Sequence, residues 1–135
     1  MGPQPARSVT VGMTVTHRRY VPYSHAHYAG NLVDGAYSLA AFGDVATEMC
    51  IRTDGDEGLF ASYSDVQFRA PVRAGDCIEI EAMLVRVGSR SREMDFEVRV
   101  MTRGNPVRGD SGADLLNEPL VATTARGVVV VPGHI

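Results

Sequence analysis

Two histidines and three acids crowd one stretch of this 135-residue chain, SHAHYAGNLVDGAYSLAAFGDVATE, which carries His25, His27, Asp34, Asp44 and Glu48. These are side chains that take up and release protons. Histidine titrates near neutral pH. A carboxylate held away from water has a raised pKa and becomes a competent base. Most of the residues between them are apolar. A helix of that composition belongs in a core, so its acids need an explanation.

The elements that must position them are legible as periods. Val9, Val11, Met13 and Val15 alternate with polar residues over 8–20, which predicts a strand that Pro22 ends. Residues 23–31 read as a loop, with Gly30 as a flexible joint and Asn31 as the N-cap of a helix over about 32–52. At about 100° per residue this helix sorts into three stripes. Leu32, Ala36, Leu39, Ala40, Gly43, Ala46 and Cys50 form a face of mostly small residues, expected to lie against a sheet. Phe42, Val45 and Met49 form a second, larger apolar face. Asp34, Tyr37, Ala41, Asp44 and Glu48 run roughly opposite the small face. Asp44 and Glu48 are a like-charge pair one turn apart, which costs a few tenths of a kcal/mol on an exposed helix.

After the helix, TDGDEG at 53–58 is a turn rich in Gly and Asp. It lacks the length and the terminal glutamate of an EF-hand loop. Strands are expected over 60–70, 77–87 and 90–102, the last two joined by a Gly88-Ser89 hairpin. A polar loop over 104–119, with a short helix at 113–116, leads to a final strand over 120–131. One long helix among strands joined by tight turns predicts a two-layer α+β domain. Its order is β-α-β-β-β-β, with an antiparallel sheet wrapped around one long central helix. That is the topology of the hotdog fold.

Composition sets further bounds. The length suits one domain spanning 1–135, with 1–7 a polar flexible tail and no secretory signal. Seven residues before the first strand are too few for a DNA-binding segment, so none is expected. A net charge of −3 gives no electrostatic footprint for nucleic acid or an anionic membrane. No apolar run is long enough to span a bilayer. All thirteen basic residues are arginine, which excludes lysine Schiff-base chemistry and leaves bidentate phosphate clamps. Cys50 and Cys77 read as small hydrophobes in a reducing cytoplasm. There is no CxxC or zinc spacing, so no metal is expected.

The segments HAHYAGNLVDGA, FGDVATE, DGDEGLF, APVRAGD and SGADLLNEPL resemble the 3-aminobutyryl-CoA and β-alanyl-CoA ammonia lyases, from about His25 to Pro132. APVRAGD is common to hotdog acyl-CoA proteins, whereas HYAGNLVDGA, FGDVATE and DGDEGLF together are much more specific. The resemblance implies reversible removal of ammonia from the β-carbon of a short acyl-CoA. It implies no cofactor, coenzyme A being part of the substrate, and a homodimer or a trimer of dimers. It also implies a thioester carbonyl bound at the start of the central helix and a helix carboxylate that often reaches across the dimer interface. Related thioesterases carry a polar loop residue, a His-Gly-Gly step, a helix acid and a polar residue on the next strand. Laid on this chain, these fall at His27 or Tyr28, at Asp34-Gly35, at Asp44 within about one residue, and at Ser62 or Tyr63. Where that pattern has histidine this chain has Asp34, which argues against simple hydrolysis.

The implied roles follow. Backbone N–H groups at the helix start hold the enolate oxygen, and Gly30, Asn31 and Gly35 allow close approach. Asp44, aided by Glu48, is the expected base, and Asp34 the ammonium ligand, although the two roles could be exchanged. His27 shuttles a proton or orients the acyl chain. Arg69, Arg73, Arg90 and Arg92 are candidates for the CoA phosphates. The plainer readings stand beside these. Asp34 suits a helix N-terminus for its charge alone, and Asp44 and Glu48 suit a solvated face. A hotdog thioesterase and a non-catalytic acyl-CoA-binding protein remain as alternatives.

Overall fold

Alternation of apolar and polar residues builds the sheet, and the structure, a computed structural model, describes residues 9–132. In order come β1 (Thr14–Tyr20), two short 3-10 turns, α1 (Gly35–Asp54), β2 (Leu59–Phe68), β3 (Cys77–Val87), β4 (Ser91–Gly104) and β5 (Ala113–Val130). The five strands form one antiparallel sheet in the order β1-β3-β4-β5-β2. This is the expected two-layer α+β arrangement. Ile78, Ile80, Ala82 and Leu84 of β3 and Met94, Phe96, Val98 and Val100 of β4 all point inward and are buried. The α1 helix packs over them. Val87 at the end of β3 is exposed, because a register shift between Leu84 and Arg86 turns the strand end over.

Four expectations are corrected. The first strand starts at Thr14, not at residue 8: Val11 and Gly12 form a turn with Gly12 at φ +96°, and Val11 is exposed. The tail at 1–7 and Ser8 lie outside the described residues. The helix starts at Gly35, and its N-cap is Asp34 rather than Asn31. Asn31 instead sits at φ +60° beside Gly30 at φ +70°, and Leu32 bridges to Arg73. The sheet takes the larger helical stripe: Phe42, Val45 and Met49 are fully buried with Ala41, whereas of the small face Ala46 and Cys50 are buried but Ala36 and Ala40 are exposed. Large side chains remove more apolar area from water, about 1.5–3 kcal/mol each, so they win the core. Finally, 113–116 is not helical. It opens β5, where Ala113 pairs with Gly104 and Leu115 with Thr102.

The helix ends are well made. Asp34 accepts a hydrogen bond from the Tyr37 N–H at 3.1 Å, an N-cap with a side-chain oxygen. At the other end Gly55 adopts the left-handed conformation at φ +66°, and its N–H reaches Ile51 O. Asp54 and Arg92 form a bidentate pair there, at 2.9 and 2.7 Å, and Arg92 also donates to Gly88 O and Ser91 O. A second clasp lies before β3. The buried Asp76 accepts from Arg103 through both oxygens and from the Arg73 N–H. Both cysteines are free. Cys50 is buried, and desolvation pushes its thiol up to about 11, while Cys77 is partly exposed. No helix among the described residues is long and apolar enough to cross a membrane.

Candidate active site

A groove of about 390 Å³ opens at the start of α1. Val33, Asp34, Gly35 and Ser38 form one wall. The segment from Phe68 to Val72, which leaves the end of β2, forms the other, and Thr123 of β5 lies at the floor. The first N–H groups of a helix have no partner inside the helix. Asp34 takes that of Tyr37, leaving those of Gly35 and Ala36 for a ligand. Together with the helix dipole they make an anion-stabilising end.

Gly35 lies directly beneath an aromatic ring. A Cβ there would lie 2.8 Å from the ring of Phe68, which covers the glycine yet is itself 59% exposed. On the floor, the Thr123 hydroxyl donates to Ser38 Oγ at 3.0 Å, and both residues are buried.

The other expected residues scatter. Asp44 is exposed and paired with Arg19 at 3.3 Å. It lines a smaller groove of about 210 Å³ with Gly43, Thr47, Glu57, Gly58 and Phe60. Glu48 accepts from Arg52 at 2.9 Å and lies 3.0 Å from His17 Nε2. These hydrogen bonds, to Arg52 first and then to His17, hold its carboxyl below the usual carboxylate range. A base with a raised pKa was expected at this position; the ion pairs make Glu48 the opposite.

His27 and Tyr28 are exposed. Their rings meet edge to face at 4.6 Å, and both backbone N–H groups donate to Leu32 O. His25 instead shares a hydrogen bond with the Tyr37 hydroxyl at 2.9 Å. Gly30 and Asn31 form the left-handed bend that leads the chain into the helix start. Ser62 is exposed on β2. Tyr63 is not a polar group for substrate here: its hydroxyl donates to Leu39 O at 2.8 Å, and its ring joins Phe42, Phe60 and Phe96. Burial pushes its pKa up to about 12.

Among the arginines, Arg69 lines the groove mouth and is exposed. Arg92 is consumed by Asp54. Arg90 is exposed but remote. Arg69 hydrogen-bonds to Ala122 on β5 and Arg90 to Val131 just past its end, about 30 Å of extended chain away. A larger depression of about 510 Å³ lies across the sheet. Three of its four acids are matched by arginines already, Asp95 with Arg126 and Glu81 and Glu97 with Arg99, so it offers less than the groove.

Sequence reasoning missed Ser38, Phe68 and Thr123. Ser38 had a signal: it follows Asp34 by four residues and so shares its helix face. Phe68 and Thr123 reach the groove only through the β2-β5 pairing, in which they are direct partners.

One long helix on a five-stranded antiparallel sheet, with a groove at the helix start, defines a hotdog-fold protein. A family model of the thioesterase superfamily matches residues 30–106. A 3-aminobutyryl-CoA ammonia lyase of Acetoanaerobium sticklandii is 51% identical over 107 residues, covering 79% of this chain and 85% of that protein. The β-alanyl-CoA:ammonia lyase from Clostridium propionicum superposes with a TM-score of 0.85 at 35% identity, over 90% of this chain and 87% of that one. A hexameric hotdog fold thioesterase of Campylobacter jejuni, TM-score 0.70 and 18% identical over 84% and 79% of the two chains, shares the fold. The chain belongs to the thioesterase superfamily and, within it, to the family of the 3-aminobutyryl-CoA and β-alanyl-CoA ammonia lyases.

Proposed function

We propose that this protein is a carbon-nitrogen lyase that removes ammonia reversibly from a short-chain 3-aminoacyl-CoA, giving crotonyl-CoA from 3-aminobutyryl-CoA or acryloyl-CoA from β-alanyl-CoA. The observation that carries this reading is Asp34 in the same groove as Gly35, the first residue of the helix. A plain acyl thioester offers a second carboxylate nothing to hold. A 3-aminoacyl group brings an ammonium.

The thioester oxygen sits at the Gly35 and Ala36 N–H groups, which stabilise negative charge as it develops. A carboxylate takes the α-proton, and the C–H electron pair moves into the enolate. The enolate then collapses to the α,β-double bond, the C–N bond breaks, and its pair leaves on nitrogen as ammonia. The proton held by the carboxylate passes to solvent or to the ammonia. Proton transfer and an oxyanion site suffice for these steps, so the reaction calls for no metal or organic cofactor, with coenzyme A carried by the substrate. Arg69 at the groove mouth meets a CoA phosphate.

Asp34 binds the ammonium and Asp44 is the base. Ten residues separate them, about 15 Å along the helix axis, too far for one short acyl group within one chain. The site is therefore shared: Asp34 from one protomer and Asp44 from a second copy in a homodimer. Support comes from β2, an edge strand that borders the groove and exposes Leu59 and Phe68. Dimers assemble further into a trimer of dimers, the hexameric state named for the Campylobacter jejuni thioesterase. The reaction is cytoplasmic, in keeping with two free cysteines.

The test is direct. Incubation with crotonyl-CoA or acryloyl-CoA and ammonium is expected to yield the amino adduct by mass spectrometry, with CoA thiol remaining esterified. Free thiol without adduct would mean a hydrolase instead. Full activity in both Asp34→Asn and Asp44→Asn would sink the residue assignment.

A further inference from the structure

We propose that the hydroxyl pair on the groove floor, Ser38 with Thr123, supplies a third donor to the substrate's thioester oxygen, Ser38 making the contact and Thr123 positioning it. This rests on the reaction proposed above and adds to it.

The argument is one of proton accounting. Two hydroxyls own two protons, and their mutual bond at 3.0 Å uses one. Serine inside a helix commonly turns its proton back to the carbonyl four residues earlier. Thr47 does so, donating to Gly43 O at 2.8 Å. Ser38 does not: among the described residues its hydroxyl has Thr123 as its only partner, and the Thr123 hydroxyl has only Ser38. Both side chains are buried, 3% and 2% exposed. A buried donor left unused is destabilising, so an acceptor is owed to this pair. Both residues line the groove, and the acceptor enters there.

The position selects which acceptor. Ser38 follows Gly35 by three residues, and side chains at that spacing are neighbours about 5–6 Å apart on a helix. An oxygen resting on the Gly35 and Ala36 N–H groups is thus within reach of Ser38 Oγ. A donor is most valuable to an oxygen gaining charge, so the pair acts mainly on the enolate and less on the bound ground state. Asp34, four residues before Ser38 on the same face, stays free for the ammonium.

Two measurements test this: kcat and KM for ammonium addition to crotonyl-CoA, and exchange of the α-protons of butyryl-CoA with D2O followed by NMR. The second reads enolate formation without any ammonia chemistry. Ser38→Ala is expected to lower kcat and the exchange rate by about 10²-fold, with KM changed less than about threefold. Thr123→Val is expected to lower both rates about tenfold, and Thr123→Ser, which keeps the hydroxyl, to restore them. A Ser38→Ala enzyme with wild-type rates, or one in which KM rises and kcat holds, overturns the proposal. Should Ser38→Ala fail to fold, equal rates in Thr123→Val and Thr123→Ser overturn it as well. Wild-type exchange without ammonium addition would remove the lyase reading and leave the enolate test standing. Neither activity in the wild-type protein would remove both.

Discussion

Asp34 does two jobs with one carboxylate, and they separate by substitution. Asparagine is as good an N-cap as aspartate, so Asp34→Asn is expected to keep thermal stability while losing the charge that holds an ammonium, with kcat/KM falling at least tenfold. Asp34→Ala loses the cap too and is expected to cost a further ~1 kcal/mol in denaturant unfolding. At Gly35 the cost falls the other way. An added methyl meets the far edge of the Phe68 ring at 2.8 Å, and that ring is exposed enough to swing aside. Gly35→Ala is therefore expected to unfold within about 1 kcal/mol of wild type but to lose activity, because the displaced ring and the methyl crowd the helix-start N–H groups. Glu48 gives a pH signature. Its folded pKa lies below its ordinary value, so its contribution to stability is present at neutral pH and is lost as pH falls through that lowered value. The difference in Tm between wild type and Glu48→Gln is expected to hold from neutral pH down to the ordinary glutamate range and to shrink only below it. At this scale the sequence shows which residues are acids but not their partners. Asp44 and Glu48 look alike on a helical wheel, and only the fold brings Arg19 to one and His17 to the other.

The elements were more legible than their ends. Alternating apolar residues placed β3 and β4 nearly to the residue, because one face of each is wholly buried and a period of two leaves no slack. The start of α1 was misread because Asn31 and Asp34 are both good caps. The choice between them is made by Leu32 pairing with Arg73 and by Val33 N–H bonding to Val72 O, contacts from far along the chain. The 113–116 segment has no strong local preference, and its pairing with β4 makes it a strand. At the C-terminal end of α1, Arg92 was a reasonable phosphate ligand by sequence, yet its side chain is 8% exposed and bound to Asp54. Removing one partner of such a pair is strongly destabilising. Arg92→Met is expected to lower unfolding free energy by about 3 kcal/mol, measured by urea titration, with KM for the acyl-CoA unchanged.

At the scale of the whole molecule, the separation of Asp34 and Asp44 calls for complementation. Asp34→Asn and Asp44→Asn proteins, each impaired at least tenfold alone, are expected to regain activity when unfolded together and refolded as mixed dimers, since one of the two shared sites is then intact. The regained activity should approach a quarter of wild type if half of all dimers are mixed and each carries one working site. No gain on mixing would place both acids' work within one chain. Sheet order was the least legible property of all, because a strand's neighbour depends on closing long loops rather than on local pattern. That order has a consequence in time. β2 is made early, but its neighbour in the sheet is β5, the last strand among the described residues. Phe68 leans over Gly35 only once Thr123 has been laid beside it. A nascent chain leaving the ribosome therefore carries its helix, its acids and most of its core before it owns a groove. The binding site closes only when β5 is made, and any chain released before residue 123 has the helix but no floor beneath its substrate.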